Sequence, residues 1–262
     1  MKSFVRFLLD LNLIDNFFKF LILVILFFRV DFAYSYEGNL KIKNFDQAKK
    51  ILNKIHNENP VTFYCGCKYS DKKPDWQSCG FTPLKDKKRA SRVEWEHVLP
   101  ASHFGIEFDT WKNGHVECVN KKGKKFKGRK CANKINSQYR FMQADLYNLQ
   151  PAIGEINGLR SNYQIGLVEG EERNFGRCDI EFKNKHVEPM EKIRGDIART
   201  YMYMEQSYPQ YVKFESSLKK LLIKWDKDDP VDNWECKRAE KIFKIQGNLN
   251  QIITKRCNKI ID

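Results

Sequence analysis

The sequence has no apolar run long enough to span a membrane. Its longest uninterrupted run, FLILVILFF at residues 20–28, falls well short of the roughly 20 apolar residues that a spanning helix needs. The sequence also lacks the closely spaced C-x2-C pairs that are typical of structural zinc sites, and it contains no internal repeat and no linker. These absences exclude a multi-span membrane protein and a repeat array, and they argue against a zinc-stabilised domain.

Acidic residues are too few to balance the basic ones. The 262 residues include 33 Asp and Glu against 47 Lys and Arg, which gives a formal charge of +14. A surplus of this size favours a polyanionic partner such as nucleic acid. Hydrophobic residues still make up 42% and aromatic residues 13% of the chain, which is enough for a folded core and excludes a disordered basic tail.

The apolar run near the N-terminus is typical of a secretory signal peptide. Its length fits the apolar region of such a peptide, and Ala33 and Ser35 supply the small residues that precede a cleavage site. We therefore predict a signal peptide at residues 1–35 and an exported domain at residues 36–262. An uncleaved membrane anchor is the less favoured alternative, because charged residues interrupt the extended apolar tract.

All 8 cysteines lie after the predicted cleavage site. An even number of cysteines in an exported chain implies disulfide bonds, because the compartments outside the cytoplasm are oxidising. Sequence proximity favours two local pairs, Cys118 with Cys131 and Cys236 with Cys257. The pairing of the other four cysteines stays open.

The pattern of apolar residues predicts a mixture of helices and strands. Helical spacing occurs over residues 40–60, 137–150, 193–204 and 218–225, and Asp232 with Glu235 resembles a capping box that opens a last helix. Residues 92–99 alternate as in a strand, with Val93 and Trp95 on one side and Glu94 and Glu96 on the other. The sequence therefore predicts one α+β domain.

The most basic stretch is KKGKKFKGRK at residues 121–130, which lies between Cys118 and Cys131. Most runs of this kind are solvated loops. A disulfide between the flanking cysteines would hold the like charges together, and phosphate groups would relieve their repulsion. The stretch therefore predicts a nucleic-acid-binding loop with these candidate residues: Lys124, Lys125, Lys127, Arg129 and Lys130.

The pair Glu96-His97 is the first candidate for chemistry. A histidine titrates near neutrality and can take a proton from water, while a carboxylate such as Glu96 is a hard oxygen ligand for Mg²⁺ or Ca²⁺. Neighbouring side chains on a regular strand point to opposite faces, so both can reach one site only if the strand bends. By itself, a Glu-His pair does not establish a function.

Several segments, in this order along the chain, resemble the endonuclease I family. They are EWEHVLPASHFG at 94–105, GRKC at 128–131, DLYNLQP at 145–151 and GEING at 154–158, followed by RGDIARTY at 194–201, WEC at 234–236 and QGN at 246–248. The members of this family are exported bacterial nucleases of the ββα-metal, or His-Me finger, class. The resemblance implies an α+β fold in which helices surround a ββα-metal core and disulfides staple the domain.

The resemblance also implies roles for individual residues. His97 would be the general base that deprotonates the attacking water, and Glu96 with Asn148 would hold one divalent cation per active site, Mg²⁺ or another such as Mn²⁺ or Ca²⁺. Arg129 would bind the scissile phosphate and stabilise the transition state. Two alternatives stay open for the second ligand: Asp145 is the better ligand by chemistry alone, and Asn148 would then only cap or cross-link backbone near Pro151.

The function implied is a metal-dependent endonuclease that hydrolyses DNA and RNA. Because water rather than the ribose 2′-hydroxyl attacks, both nucleic acids are expected substrates, and contacts to phosphate give little sequence preference. We expect a periplasmic or secreted monomer with no stable membrane association after signal cleavage. The alternatives from other classes are a non-catalytic exported nucleic-acid-binding protein and a secreted structural or host-interacting protein.

Overall fold

Helices and short strands make up much of residues 37–170 and 172–257, which are the residues that this computed structural model describes. The predicted α+β class is confirmed. The predicted signal peptide lies outside the described residues. Within them, we find no helix that combines the length and the apolar character needed to cross a bilayer.

The helices and strands have the following bounds. The helices are α1 (Phe45–His56), α2 (Trp76–Cys79), α3 (Lys87–Ala90), α4 (Ala101–Gly105), α5 (Asp109–Lys112), α6 (Arg129–Ile135), α7 (Ser137–Gln143), α8 (Gly154–Arg160), α9 (Arg194–Ser207), α10 (Ser216–Asp228), α11 (Asn233–Gln246) and α12 (Gln251–Cys257). The strands are β1 (Tyr69–Ser70), β2 (Lys73–Pro74), β3 (Val93–His97), β4 (Leu149–Ile153), β5 (Gln164–Ile165), β6 (Ile180–Lys183) and β7 (His186–Pro189). Short 3₁₀ turns occupy Leu146–Asn148 and Glu191–Ile193.

The centre of the fold is a strand pair followed by a helix. Strands β3 and β4 are antiparallel, and their register places Glu96 opposite Gln150 and His97 opposite Leu149. Helix α8 begins at the residue after β4 and packs on both strands. A separate sheet has the order β5-β7-β6, in which β5 is parallel and β6 antiparallel to β7.

The prediction of a helix over residues 137–150 is wrong beyond Gln143, where helix α7 ends. The Asp145 carboxylate accepts a hydrogen bond from the backbone N–H of Tyr147 at 3.0 Å and opens a 3₁₀ turn instead. The chain then extends into β4, where Pro151 lies opposite Trp95 rather than ending a helix. The apolar spacing misled because residues on both sides of the turn are buried in the same core.

Several other elements agree with the sequence prediction. Helix α1 lies within the predicted range of residues 40–60, and strand β3 within residues 92–99. The capping box of α11 is present: the Asp232 side chain accepts from the backbone N–H of Glu235 at 2.7 Å, and the Glu235 side chain accepts from that of Asp232 at 3.3 Å. These elements carry strong local signals, so their prediction did not depend on distant contacts.

Four disulfides tie the domain together. Cys118 bonds Cys131 and Cys236 bonds Cys257, the two pairs that the sequence favours. The pairs that the sequence left open are Cys65–Cys178 and Cys67–Cys79. The described residues contain no free cysteine.

One buried arginine connects three helices in the C-terminal half. The Arg199 side chain, on α9, is fully buried and donates to the Glu235 carboxylate at the start of α11 at 2.6 and 2.8 Å. It also donates to Asp226 on α10 at 3.1 Å and to Asp196 on α9 at 2.9 Å. This ion cluster fixes the relative placement of α9, α10 and α11.

Candidate active site

A cavity of about 1170 Å³ runs along strand β3. Its wall includes all five residues of β3, a face of α1 and part of α8. Arg129 also lines it. The cavity is the place where the structure brings most of the predicted chemistry together.

Glu96 and His97 both line this cavity although they are neighbours on a strand. Both side chains are buried, with relative exposures of 4% for Glu96 and 7% for His97. Their surroundings differ and give them different chemistry.

His97 is held in one tautomer. Its Nε2 lies 2.8 Å from the backbone carbonyl oxygen of Gln143, and a carbonyl can only accept, so Nε2 carries the proton and Nδ1 keeps its lone pair. The Phe45 ring packs on the imidazole, with the ring centroids 4.9 Å apart. Burial and the positive charge of Arg129 lower the pKa of His97 to about 3, so the ring is neutral at neutral pH.

Glu96 is surrounded by a buried polar group and a buried cation. The Tyr64 hydroxyl donates to Glu96 Oε1 at 3.1 Å, and Arg160 Nε lies 3.7 Å from the same oxygen. Burial raises the pKa of Glu96 to about 7, against the opposing effect of Arg160 and Tyr64. Arg160 is itself anchored by donating to the Val98 carbonyl at 2.9 Å.

Arg129 reaches the cavity from the first turn of α6. Gly128 precedes it with a φ of +73°, a left-handed conformation that favours glycine. The Gly128 N–H donates to the carbonyl of Trp111 at 3.0 Å, and Cys131 is bonded to Cys118 two residues after Arg129. The backbone before and after Arg129 is thus fixed, while the Arg129 side chain is exposed.

Asn148 does not line the cavity. Its side chain is fully buried, and Oδ1 accepts from the Leu99 N–H at 2.7 Å while Nδ2 donates to the Leu99 carbonyl at 3.0 Å. This is the backbone cross-link that the sequence left open as an alternative. Asp145 does not line the cavity either, and Tyr203, Tyr208 and Gln246 donate to its buried carboxylate.

Asn157 is the cavity residue that the sequence prediction missed. It lies on α8, lines the cavity together with Glu96 and His97, and donates from Nδ2 to Glu94 Oε2 at 2.8 Å. The signal that could have found it is the GEING segment, which contains the one asparagine of α8. Recognising a strand at residues 149–153 would have made α8 the helix of the ββα unit.

The five basic candidates of the Cys118–Cys131 loop are all exposed, but among them only Arg129 lines the cavity. Backbone pairing of Val119 with Lys125 folds the loop into a small hairpin. The other basic side chains that line the cavity come from separate segments of the chain, so no single stretch of sequence indicated that they lie together. They are Lys49, Lys50, Lys72, Arg89 and Arg92.

The fold, the disulfides and the cavity together fit an α+β nuclease, and comparisons with known proteins agree. A model of the Endonuclease I family matches residues 30–257. An extracellular deoxyribonuclease of Aeromonas hydrophila is 43% identical over 223 residues, which cover 82% of this chain and 90% of that protein.

Two further relatives have similar coverage. An endonuclease-1 of Buchnera aphidicola is 45% identical over 231 residues and 86% of each chain. A periplasmic deoxyribonuclease of Aeromonas hydrophila is 40% identical over 222 residues, which cover 82% of this chain and 87% of that protein. The chain belongs to the endonuclease I family, and the predicted class of enzyme, an endonuclease, is confirmed.

Proposed function

We propose that the protein is a divalent-metal-dependent endonuclease that hydrolyses DNA, with little sequence preference, in the cavity along β3. The observation that carries the proposal is the meeting of Glu96, His97 and Asn157 in one cavity formed by the β3-β4-α8 unit. The relatives' names support DNA as the substrate. The proposal includes RNA as a substrate because water, and not the ribose 2′-hydroxyl, is the attacking group. The presence of a 2′-hydroxyl therefore does not prevent the reaction.

His97 is the general base in this proposal. Its Nδ1 has the free lone pair, because the Gln143 carbonyl holds the proton on Nε2. A neutral imidazole of this kind can take the proton of a water that attacks phosphorus. Arg129 binds the scissile phosphate and offsets the negative charge that builds on it during attack.

A divalent cation is the cofactor that we propose, and the oxygen donors of the cavity fit one. The described residues contain no cluster of three or more His, Cys, Asp or Glu arranged as metal ligands. Mg²⁺ needs only one or two protein oxygens because it keeps several waters. The Glu96 carboxylate and the Asn157 amide oxygen would hold one Mg²⁺ per site, or Mn²⁺ or Ca²⁺, and when bound the ion supplies Lewis-acid stabilisation of the phosphate and the leaving oxygen.

Asn157 replaces Asn148 as the amide ligand in this proposal. Asn148 is the residue that the sequence resemblance predicted, and both atoms of its amide are used by the Leu99 backbone. For Asn157 Oδ1, by contrast, no hydrogen-bond partner is found among the described residues, while Nδ2 is bonded to Glu94. The unused oxygen supports the assignment to Asn157.

We further propose that the enzyme is periplasmic or secreted and acts as a monomer without stable membrane association. Relatives named extracellular and periplasmic support export. The four disulfides support it as well, because such bonds persist in oxidising compartments.

Plasmid digestion with Mg²⁺ or with EDTA, at two salt concentrations, tests the proposed function. We expect cutting with Mg²⁺, none in EDTA, and binding to uncut DNA that weakens steeply with salt. Undiminished cutting in EDTA would refute the metal requirement. Binding without cutting would favour the non-catalytic nucleic-acid-binding alternative, and neither binding nor cutting would favour a structural role. A parallel digest of single-stranded RNA tests the second substrate.

A further inference from the structure

Glu94 is the centre of a polar network on the wall of the cavity. Arg89 donates to its carboxylate from Nε at 3.0 and 3.2 Å and from Nη2 at 2.7 Å, and Arg92 donates from Nε at 2.9 Å. The fourth donor is Asn157 Nδ2, at 2.8 Å. The Glu94 side chain is 18% exposed, so its carboxylate is mostly shielded from water, whereas Arg92 is half exposed.

Arg89 and Glu94 lie close against helix α8. A Cβ built on Gly154 would lie 2.4 Å from the Arg89 carbonyl oxygen and 3.0 Å from Glu94 Oε1, and one on Gly158 would lie 2.2 Å from Arg89 Nη1. The absence of side chains at these two positions lets the network reach the helix on both sides of Asn157. The Glu94 carboxylate is therefore held by both arginines and also contacts the Asn157 amide.

The hydrogen bond between Asn157 and Glu94 determines which atom of the Asn157 amide faces Glu94 and which faces the cavity. A carboxylate paired with two guanidinium groups can only accept a hydrogen bond, so the atom of Asn157 that faces it must be the NH₂ group. The carbonyl oxygen then points away from Glu94. An amide oxygen can bind a hard cation, whereas the amide nitrogen cannot.

We infer that Glu94 is a positioning residue that orients the Asn157 amide so that its oxygen is presented to the metal. The inference rests on the proposed function and deepens it. It assigns a role to the first glutamate of the Glu94-Trp95-Glu96-His97 segment, in which Glu96 is the ligand and His97 the base. Glu94 acts through hydrogen bonding and does not touch the metal itself.

The test measures Mn²⁺ affinity of the full mature chain without DNA, by calorimetry and electron paramagnetic resonance. Glu94→Gln removes the charge but keeps the shape, and its own NH₂ group can donate to the Asn157 oxygen and draw it away from the cavity. We expect at least a tenfold loss of Mn²⁺ affinity, in the range found for partners of metal ligands. The matched control is Glu58→Gln, which removes another salt-bridged glutamate, 59% exposed and paired with Lys241, and should bind Mn²⁺ as the wild type does.

A double-mutant cycle separates positioning from direct ligation. In an Asn157→Ala background, Glu94→Gln should cause no further loss of Mn²⁺ affinity, because the residue through which Glu94 acts is gone. An additive loss would mean that Glu94 binds the metal directly, and it would overturn the inference. Thermal unfolding in EDTA identifies any variant that fails to fold.

If Glu94→Gln does not fold, Glu94→Asp replaces it, because this change keeps the charge against Arg89 and Arg92 but withdraws the carboxylate from Asn157 by one methylene. Unchanged Mn²⁺ affinity in a folded Glu94 variant, with wild-type protein that binds one Mn²⁺, would overturn this inference alone. Wild-type protein that binds no Mn²⁺ and cuts DNA in EDTA would overturn the proposed function as well.

Discussion

At the scale of single residues, one hydrogen bond defines the proposed base. The Gln143 carbonyl holds the proton on Nε2 of His97, which leaves Nδ1 to accept a proton from water. We expect His97→Ala to lower kcat by about 10²- to 10⁴-fold and to leave DNA binding in EDTA intact. Plasmid cleavage and a DNA-binding assay measure the two effects. A His97→Ala enzyme with full activity would refute the assignment of His97 as the general base.

The two asparagines provide a second prediction at this scale, because the proposed function assigns them different roles. Asn148→Ala removes two buried hydrogen bonds between its side chain and the Leu99 backbone, so we expect the free energy of unfolding to fall by about 1–3 kcal/mol with little change in Mn²⁺ affinity. Asn157→Ala should weaken Mn²⁺ binding, leaving the residual affinity that Glu96 provides, with a smaller effect on stability. Urea unfolding and Mn²⁺ titration of both variants measure this. The reverse result would restore Asn148 as the ligand.

At the scale of secondary-structure elements, the sequence predicted several elements that have strong local signals and missed others, of which β4 matters most for the site. Strand β3 alternates visibly between polar and apolar residues, and α11 opens with a capping box. Strand β4 has the sequence LQPAI, is buried at every position and contains a proline, so it neither alternates nor looks like a ladder strand. Its pairing with β3 exists only in the folded chain, so the sequence did not indicate that α8 follows the strand pair or that Asn157, the ligand proposed above, lies on it.

Helix α1 contributes cations to the cavity, and this gives a prediction about DNA binding. Lys49 and Lys50 line the cavity, whereas Lys54 on the same helix is exposed elsewhere. We expect Lys49→Gln with Lys50→Gln to weaken DNA binding and to reduce the salt dependence of the binding constant, by about one unit of slope per lost phosphate contact. Anisotropy titrations in EDTA measure the slope. A slope equal to that of the Lys54→Gln control would contradict the prediction.

The cluster around Arg199 gives a prediction about helix packing. Arg199→Met leaves the carboxylates of Asp196, Asp226 and Glu235 without their shared cation, and removing one partner of a buried ion pair costs about 3–5 kcal/mol. We expect a fall of that size in the free energy of unfolding, measured in urea. The control is Lys244→Met, which breaks an exposed pair with Glu240 and should cost less than about 1 kcal/mol. Equal losses would rule out a special role for the cluster.

At the scale of the whole molecule, the disulfides differ in how much of the chain they constrain. Cys65–Cys178 joins residues 113 positions apart, while Cys67–Cys79 joins residues 12 apart. The chain-entropy model gives about 5 kcal/mol for the longer loop and about 3 kcal/mol for the shorter. We therefore expect the Cys65→Ser/Cys178→Ser variant to be less stable in urea than Cys67→Ser/Cys79→Ser, and the opposite order would show that local packing outweighs the constraint on the unfolded chain.

The Cys118–Cys131 disulfide closes a hairpin whose tip can change in length without moving Arg129. The hairpin it closes is held at its base by the disulfide and by the pairing of Val119 with Lys125. At its tip, a Cβ built on Gly123 would lie more than 4 Å from every atom outside Gly123 and its two chain neighbours. The length of the hairpin tip can therefore vary: inserted residues would extend into solvent while Arg129, which lies between the Val119–Lys125 pair and Cys131, keeps its place.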